Sequence, residues 1–443
     1  MIDNSTFSTL KAKYVTFGCK LNFAETASIA DMLRQQGVME ARNTENPDIV
    51  VVNTCSVTSV ADRKCRSAIR TLARRFPNAA VIVTGCYAQL KPEEVAALPG
   101  VHIVLGNDRK TTLPQVLAQW LESRKQHIDI RKAKDFNTFE HSCSRGNRTR
   151  YFLKVQDGCN YFCSYCTIPF ARGRSRSPQI ATLVDQARKV AEEGGKEIVL
   201  TGVNVGDFGR KGDGTFLELI ERLDKVEGIE RYRISSIEPN LLSEEIIHFV
   251  ARSRHFMPHF HIPLQSGDDE VLTLMRRHYD THLFKQKIEL IRGIIPDAFI
   301  GVDLIVGMRG ETEQRFLNSL GFVDSLDISR LHVFPYSERE GTAALQIPHV
   351  VAPQEKSERA ARMLALSAEK EKAFSQRMEG SRRPVLFEKM DTESGTLTGH
   401  TDNYIKVVAH SADDALINTV HDVVIGPCRP DTGEGYFSTA TLK

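Results

Sequence analysis

The chain has 443 residues, enough for two to four domains at about 100–200 residues each, with cores that need no disulfide staples. No run of about 18 apolar residues occurs, mean hydropathy is −0.28, and the start, MIDNSTFSTLKAKYVTFGC, has no apolar signal stretch, so a membrane-independent, cytoplasmic protein is expected. Nine cysteines, an odd number, argue against a disulfide framework and for metal or redox chemistry in those that cluster.

The amino-terminal part alternates strand and helix. Apolar runs at 13–17 (KYVTF), 49–53 (IVVVN), 80–84 (AVIVT) and 102–106 (HIVLG) have strand length. Ala27, Ala30 and Leu33 recur at helical spacing in 23–36, before Gly37. Ala61, Cys65, Ala68 and Leu72 do so in 60–76, before Pro77. A closing helix is expected over 107–123. This α/β alternation predicts a doubly wound parallel sheet in a unit spanning 11–123. Residues 124–148 are charged and aperiodic and read as a linker.

The rhythm then widens. Runs at 151–156, 197–202, 232–236, 259–264, 299–306 and 330–335 are expected to be six parallel strands, separated by helices such as 178–193 and 311–325. Six such units make an open, partial (β/α)6 barrel over 145–374, with its site at the C-terminal strand ends. Residues 354–378 read as a charged amphipathic helix. Beyond Gly380, RPVLFEKM, GTLTGHT, NYIKVVAH, LINTVHDVVIG and EGYFSTATL fit a small five-stranded β-barrel of oligonucleotide-binding (OB-like) type in 376–443.

Cys159, Cys163 and Cys166 form a C-x3-C-x2-C run just past the first barrel strand. Three thiolates this close can hold three irons of a [4Fe–4S] cluster and leave the fourth open to a substrate. Zinc is the rival and needs a fourth ligand, such as His141 or Cys143. Buried structural cysteines are the bland alternative. Cys19, Cys55 and Cys86 each end an apolar strand of the first unit, after Gly18, Thr54 and Gly85. Parallel strand ends share one edge, so these thiols can converge although they lie 36 and 31 residues apart. A second cluster with an open iron is one reading; buried packing is the other. Cys65 reads as core, and Cys143 and Cys428 have no arguable partner.

Three cysteines so spaced after a partial-barrel strand resemble the radical S-adenosylmethionine (radical SAM) enzymes. The resemblance implies that the open iron chelates the amino and carboxyl groups of S-adenosylmethionine. It also implies cleavage of that cofactor to methionine and a 5′-deoxyadenosyl radical. Tyr165, the aromatic before the last cysteine, would pack near the adenine; ordinary loop packing is its other reading. FGCKLNFAET, NTCSVTSVADRKCRSAIR, TGCYAQ, DGCNYFCSYCTIPFARGRSRS, HIPLQSGDDEVLTLMRRHYD and DLIVGMRGETE are similar to the methylthiotransferases over nearly the whole chain. The terminal barrel resembles their RNA-binding TRAM module.

GCKLN, KVQDGCN and PFARGRSRS look most like the threonylcarbamoyladenosine branch of that family. The alternatives are the branch acting on isopentenyladenosine in tRNA, with Gln-Met-Asn in place of Lys20-Leu21-Asn22, and the branch acting on a ribosomal-protein aspartate, with Pro-Lys-Asn there. The resemblance thus implies a tRNA-modifying enzyme that adds a methylthio group to C2 of N6-threonylcarbamoyladenosine at position 37, beside the anticodon. It implies two [4Fe–4S] clusters, one on Cys159, Cys163 and Cys166 for cofactor cleavage and one on Cys19, Cys55 and Cys86 for sulfur. S-adenosyl-L-methionine is the expected cofactor, and the tRNA anticodon loop and a flavodoxin-type electron donor are the expected partners. C2 carries an unactivated C–H bond that acid–base chemistry does not break, so the chemistry must come from a cofactor.

Thr201, Ser235, Glu238, Gln265 and Asp303 stand near barrel strand ends and are expected to hydrogen-bond the methionine, the ribose or the substrate, with capping as the other reading. From Arg124 to Arg176, twelve Lys and Arg face four Asp and Glu, a net +8, whereas Ser381 to Lys443 is net −3. The tRNA backbone is therefore expected to follow the basic stretch, with Arg145, Arg148, Arg150, Arg172, Arg174 and Arg176 at the entrance; solvated linker charges are the alternative.

Overall fold

The computed structural model describes residues 7–144, 149–210, 214–411, 413–431 and 435–442. In the first unit β1 (Lys11–Thr16), β2 (Met39–Glu40), β3 (Ile49–Thr54), β4 (Ala80–Gly85), β5 (Val101–Leu105) and β6 (His127–Asp129) pair in parallel, in the order β2-β1-β3-β4-β5-β6. β3 and β4 are buried along their whole length, as coverage of both faces requires. On one face α1 (Lys20–Gln35) and α5 (Leu113–Ser123) bring Ile29, Leu33, Leu117 and Trp120 against Val51 and Ile82. On the other, α2 (Ser59–Arg75), α3 (Cys86–Leu90) and α4 (Pro92–Ala96) bring Ile69, Tyr87 and Val95 against Val50, Val52 and Val83. This is the expected doubly wound sheet. Its strand order reverses between β1 and β3, which opens a crevice at their C-terminal ends.

The linker expected over 124–148 is corrected in part. His127–Asp129 pairs with β5 and completes that sheet edge. Arg109 holds Asp129 at 3.2 Å and Arg131 holds Asp108 at 3.3 Å, so charges that look idle in the sequence tie the segment down.

In the second unit β7 (Arg150–Lys154), β8 (Glu197–Thr201) and β9 (Arg231–Ile234) form one parallel sheet. A second is formed by β10 (His259–Gln265), β11 (Phe299–Val306) and β12 (Arg330–Pro335). Bridges Tyr232–Phe256 and Ser236–His261 join them into the expected open six-strand barrel. The helices of this unit are α6 (Ile168–Arg172), α7 (Ile180–Glu192), α8 (Phe216–Leu223), α9 (Glu244–Arg252), α10 (Asp269–Leu274), α11 (Thr281–Ile294) and α12 (Glu313–Ser325). Thr215, Ser243, Asp268, Asp280 and Thr312 each accept an amide hydrogen at a helix start. These caps set where each strand-to-helix loop ends.

α13 (Pro353–Arg377) leads from the barrel to β13 (Arg382–Asp391), β14 (Thr396–Thr401), β15 (Lys406–His410), β16 (Val420–Pro430) and β17 (Tyr436–Leu442). These close in the order β13-β14-β15-β17-β16, the small OB-like barrel expected. Its core of Val385, Phe387, Leu397, Val407 and Val423 continues onto Phe299 of β11. Arg231 and Arg233 of β9 donate to the carbonyls of Pro384, His400, Thr401 and Asp402 at 2.7–3.0 Å, which fixes the small barrel against the large one. Among the described residues no helix is long and apolar enough to cross a membrane.

Candidate active site

β7 ends at Lys154, and the chain turns at Gly158 with φ 72°. A Cβ there would lie 2.1 Å from the Arg174 carbonyl oxygen, so only glycine fits. The loop that follows is held by its backbone. Cys159 N donates to Gly173 O and Cys166 N to Cys163 O, both at 3.0 Å. Ser164 N donates to Met275 O at 3.0 Å and its hydroxyl to Leu274 O at 2.7 Å, which ties the loop to the end of α10. The three thiols lie within electrostatic range of one another. Each sulfur receives a donor: Tyr161 N at 3.4 Å from Cys159, Ile168 N at 3.4 Å from Cys166, and the Arg277 guanidinium at 3.1 Å from Cys163. Burial pushes the Cys159 and Cys166 thiols up to about 12. Thiolates form in such a place when a cation takes the place of the proton.

The first-unit cysteines meet at one sheet edge. Cys19 precedes α1, Cys55 follows β3, and Cys86 opens α3 directly after β4. A Cβ on Gly18 (φ 101°) would lie 2.8 Å from Cys55 Cβ, and one on Gly85 (φ 96°) 2.4 Å from Thr54 O. Glycines thus permit the close approach of the strand ends. Cys19, Cys55 and Cys86 lie within electrostatic range of one another, and burial pushes Cys55 up to about 12. Among the described residues no three His, Cys, Asp or Glu side chains form a site for a single metal ion. The two residues considered as a fourth zinc ligand are engaged elsewhere. His141 packs on Phe139 with ring centroids 5.3 Å apart, and the buried Cys143 thiol donates to the carbonyl of Ser144 at 3.6 Å.

A cavity of ≈ 720 Å³ lies where all three units meet. The first unit contributes Cys19 and Lys20, the large barrel Thr201, Ser235 and Asp303, and the small barrel Tyr404. The Cys19 side chain is open to this space. A second cavity of ≈ 280 Å³ shares Asp303 and is lined by Tyr165 and Gln265. Burial opposes the charge on Asp303, but a 2.8 Å hydrogen bond to His261 Nε2 prevails and holds its carboxyl below the usual range. Gln265 has φ 69° at a register shift between β10 and β11, a strained backbone at the cavity wall. Glu238 is placed differently from the other strand-end residues: it pairs with Arg277, the same guanidinium that donates to Cys163. Arg277 carries no local signal beyond its place in the MRRHYD string, because its partners lie 39 and 114 residues away.

A buried charge network joins the first unit to the barrel. Arg172 reaches Glu25 at 2.9 Å, Asp157 at 3.1 Å and Asn22 Oδ1 at 2.7 Å. Lys110 and Lys154 reach Glu25 at 2.7 and 3.1 Å, and Lys154 also reaches Asp157 at 2.8 Å. Asn107 Nδ2 donates to Ala171 O at 2.9 Å and lies 3.9 Å from Cys86 Sγ. This network corrects the expected tRNA entrance. The Arg172 side chain is 1% exposed. Arg176 bonds Asp157 and Thr138 O, and Arg150 bonds Glu388 and the Tyr404 hydroxyl. Arg174 is exposed, over the Phe162 ring at 4.7 Å. Arg145 and Arg148 lie outside the described residues. Counting charges along the chain misses the acids that fold against them.

Arg172→Met is expected to destabilise the protein by about 3–5 kcal/mol, because two buried carboxylates lose a shared partner. An unchanged unfolding midpoint in urea would show that the network contributes nothing. The network also sets a pH window. Burial opposes the charge on Glu25, but Arg172, Lys110 and Lys154 hold its carboxyl well below the usual range, and Lys154, Arg176 and Arg172 do the same for Asp157. A depressed folded pKa stabilises above the unfolded value of about 4, and the gain disappears as pH falls through the folded value. Stability is therefore expected to be flat in this respect from pH 7 to 5 and to fall below about pH 4. Urea midpoints measured across that range check it; a decline already complete at pH 5 would contradict it.

Residues 11–106 match the Uncharacterized protein family UPF0004, and residues 153–323 match the Radical SAM superfamily. Over 430 residues the chain is 38% identical to the "Threonylcarbamoyladenosine tRNA methylthiotransferase MtaB" of Bacillus subtilis, covering 95% of each chain. It is 33% identical to the "tRNA-2-methylthio-N(6)-dimethylallyladenosine synthase" of Geobacter sulfurreducens, covering 93% of each. Among solved structures, the radical S-adenosylmethionine methyltransferase TsrM from Kitasatospora setae matches 73% of this chain and 72% of its own with a TM-score of 0.55 at 14% identity, a likeness of fold.

Proposed function

The chain belongs to the radical S-adenosylmethionine methylthiotransferases, and from that we propose that it adds a methylthio group to C2 of N6-threonylcarbamoyladenosine in the anticodon loop of tRNA. Membership makes it an enzyme that uses S-adenosyl-L-methionine and an iron–sulfur cluster. The observation that carries the finer reading is the shared cavity: Cys19 of the first unit opens into the same ≈ 720 Å³ space as Thr201, Ser235 and Asp303 of the barrel. A loop base splayed out of its stack meets both sets of residues at once.

In this reading Cys159, Cys163 and Cys166 hold one [4Fe–4S] cluster and Cys19, Cys55 and Cys86 hold a second. The donor sets fit: each barrel sulfur already receives an N–H or guanidinium hydrogen, the kind of contact that tunes a cluster's potential. When bound, the barrel cluster supplies the electron that cleaves S-adenosylmethionine and so makes an unactivated C–H bond reactive. The remaining roles belong to side chains. Tyr165 and Gln265 line the smaller cavity for the adenosyl part of the cofactor. Glu238 orients Arg277 on Cys163. Thr201 and Ser235 offer hydroxyls to the methionine or the substrate, and Asp303 spans both cavities. Tyr404, its ring packed by His400 at 4.9 Å and by Arg233 at 4.8 Å, forms the small-barrel side of the cavity wall. A flavodoxin-type protein supplies the electron.

The test is anaerobic turnover. Reconstituted protein is expected to carry about eight irons per chain and to convert tRNA bearing threonylcarbamoyladenosine to the 2-methylthio product, read by mass analysis of nucleosides. Product only from tRNA bearing isopentenyladenosine would transfer the chain to that substrate. Arg174 is expected to touch a phosphate: Arg174→Ala should flatten the log–log salt dependence of tRNA affinity by about 0.7–0.9. Fluorescence titration over a salt series measures the slope, and an unchanged value would return Arg174 to solvent.

A further inference from the structure

Lys20 follows Cys19 directly and lines the large cavity. The other Lys and Arg side chains on the wall already have acids: Arg330 pairs with Glu371 at 3.2 Å, and Lys406 pairs with Asp431. The Lys20 side chain makes no hydrogen bond or ion pair among the described residues. Its charge is nonetheless felt at Asp303, His259 and His332 of the large barrel and at Tyr404 of the small one. Lys20 lines the same cavity as His259, Asp303 and His332 of the large barrel and Tyr404 of the small one. Asp303 is occupied by His261 at 2.8 Å, and burial lowers His332 to about 4, which leaves that ring neutral. α1 also begins at Lys20, so the positive end of a 16-residue helix faces the same space. The Lys20 side chain is half-buried on the cavity wall, so its ammonium is placed to pair with an anion that enters this space.

Resting on the substrate reading above, we propose that the Lys20 ammonium pairs with the carboxylate of the threonylcarbamoyl substituent and makes the enzyme selective for an anionic group on N6. The geometry of adenine supports this. C2 and C6 flank N1 and C6 carries N6, so a sulfur site acting at C2 and a cation reading the N6 substituent work along one edge of the base. Cys19 and Lys20 have Cα atoms about 3.8 Å apart.

The experiment compares two tRNAs, one bearing threonylcarbamoyladenosine and one in which that carboxylate is converted to the primary amide. Wild-type enzyme is expected to favour the carboxylate about 10- to 100-fold in kcat/KM, the range of a charge-assisted hydrogen bond. Lys20→Met should bring the two tRNAs to within a few-fold of each other, and Lys20→Arg should restore most of the preference. Iron content and the cluster absorption of Lys20→Met should match wild type. A Lys20→Met enzyme that keeps the wild-type preference overturns the proposal alone. Loss of half the iron in both variants also overturns it, because Lys20 would then serve the cluster. Wild-type enzyme inactive on the carboxylate tRNA overturns the substrate reading, and this proposal with it.

Discussion

Changing Cys19, Cys55 and Cys86 together to Ala is expected to abolish methylthio product while abortive 5′-deoxyadenosine formation stays measurable. The reason is positional. These cysteines stand at the ends of β1 and β3 and at the start of α3. The barrel loop donates hydrogen bonds to the carbonyls of Gly173, Met275 and Leu274, all within its own unit. The loop therefore keeps its shape when the first-unit thiols are removed. Sulfur transfer has no such independence, since reacting groups must be held at contact distance. If the three cysteines only packed the interior, the variant would lose roughly 1–3 kcal/mol per buried site and still make product in its folded fraction. Even that cost is small at Cys19, which opens to the cavity. Liquid chromatography of both products from one anaerobic reaction separates the cases. Methylthio-adenosine from the triple variant would end the assignment of the first-unit site.

Changing Cys159, Cys163 and Cys166 together to Ala is expected to remove both products and to halve the iron, from about eight to about four per chain. The variant should fold. The contacts that shape the loop come from backbone amides and from Ser164, and Arg277 keeps its pair with Glu238 when Cys163 is gone. Loss of product would then report loss of the cofactor-cleaving site. Iron measured colorimetrically and 5′-deoxyadenosine measured in the same preparation give the answer. Unchanged iron, or cofactor cleavage that persists, would refute the assignment.

Local pattern carried most of the architecture. Strand-length apolar runs mark β1, β3, β4 and β5 and all six strands of the large barrel, and the C-x3-C-x2-C run is contiguous in the chain. The strand-end position of Cys19, Cys55 and Cys86 was also legible, because in a parallel sheet the end of a strand already says which edge it lies on. Charge was not legible in this way. The basic stretch suggested a phosphate track, yet Arg172 closes on Glu25, 147 residues away, and Lys154 on the same carboxylate across 129. β6 was hidden for a related reason: three residues without periodicity become a strand when β5 offers an open edge. Arg277 beside Cys163 and Lys20 on the cavity wall belong to the same class. The sequence by itself determined most of the elements, their order and the spacing of the two cysteine trios, since these follow from periods of 2 and 3.6 residues and from chain adjacency. Only the tertiary structure decided which of the described charges are matched and that Lys20 faces the cavity, because a Coulomb partner is chosen by distance through space.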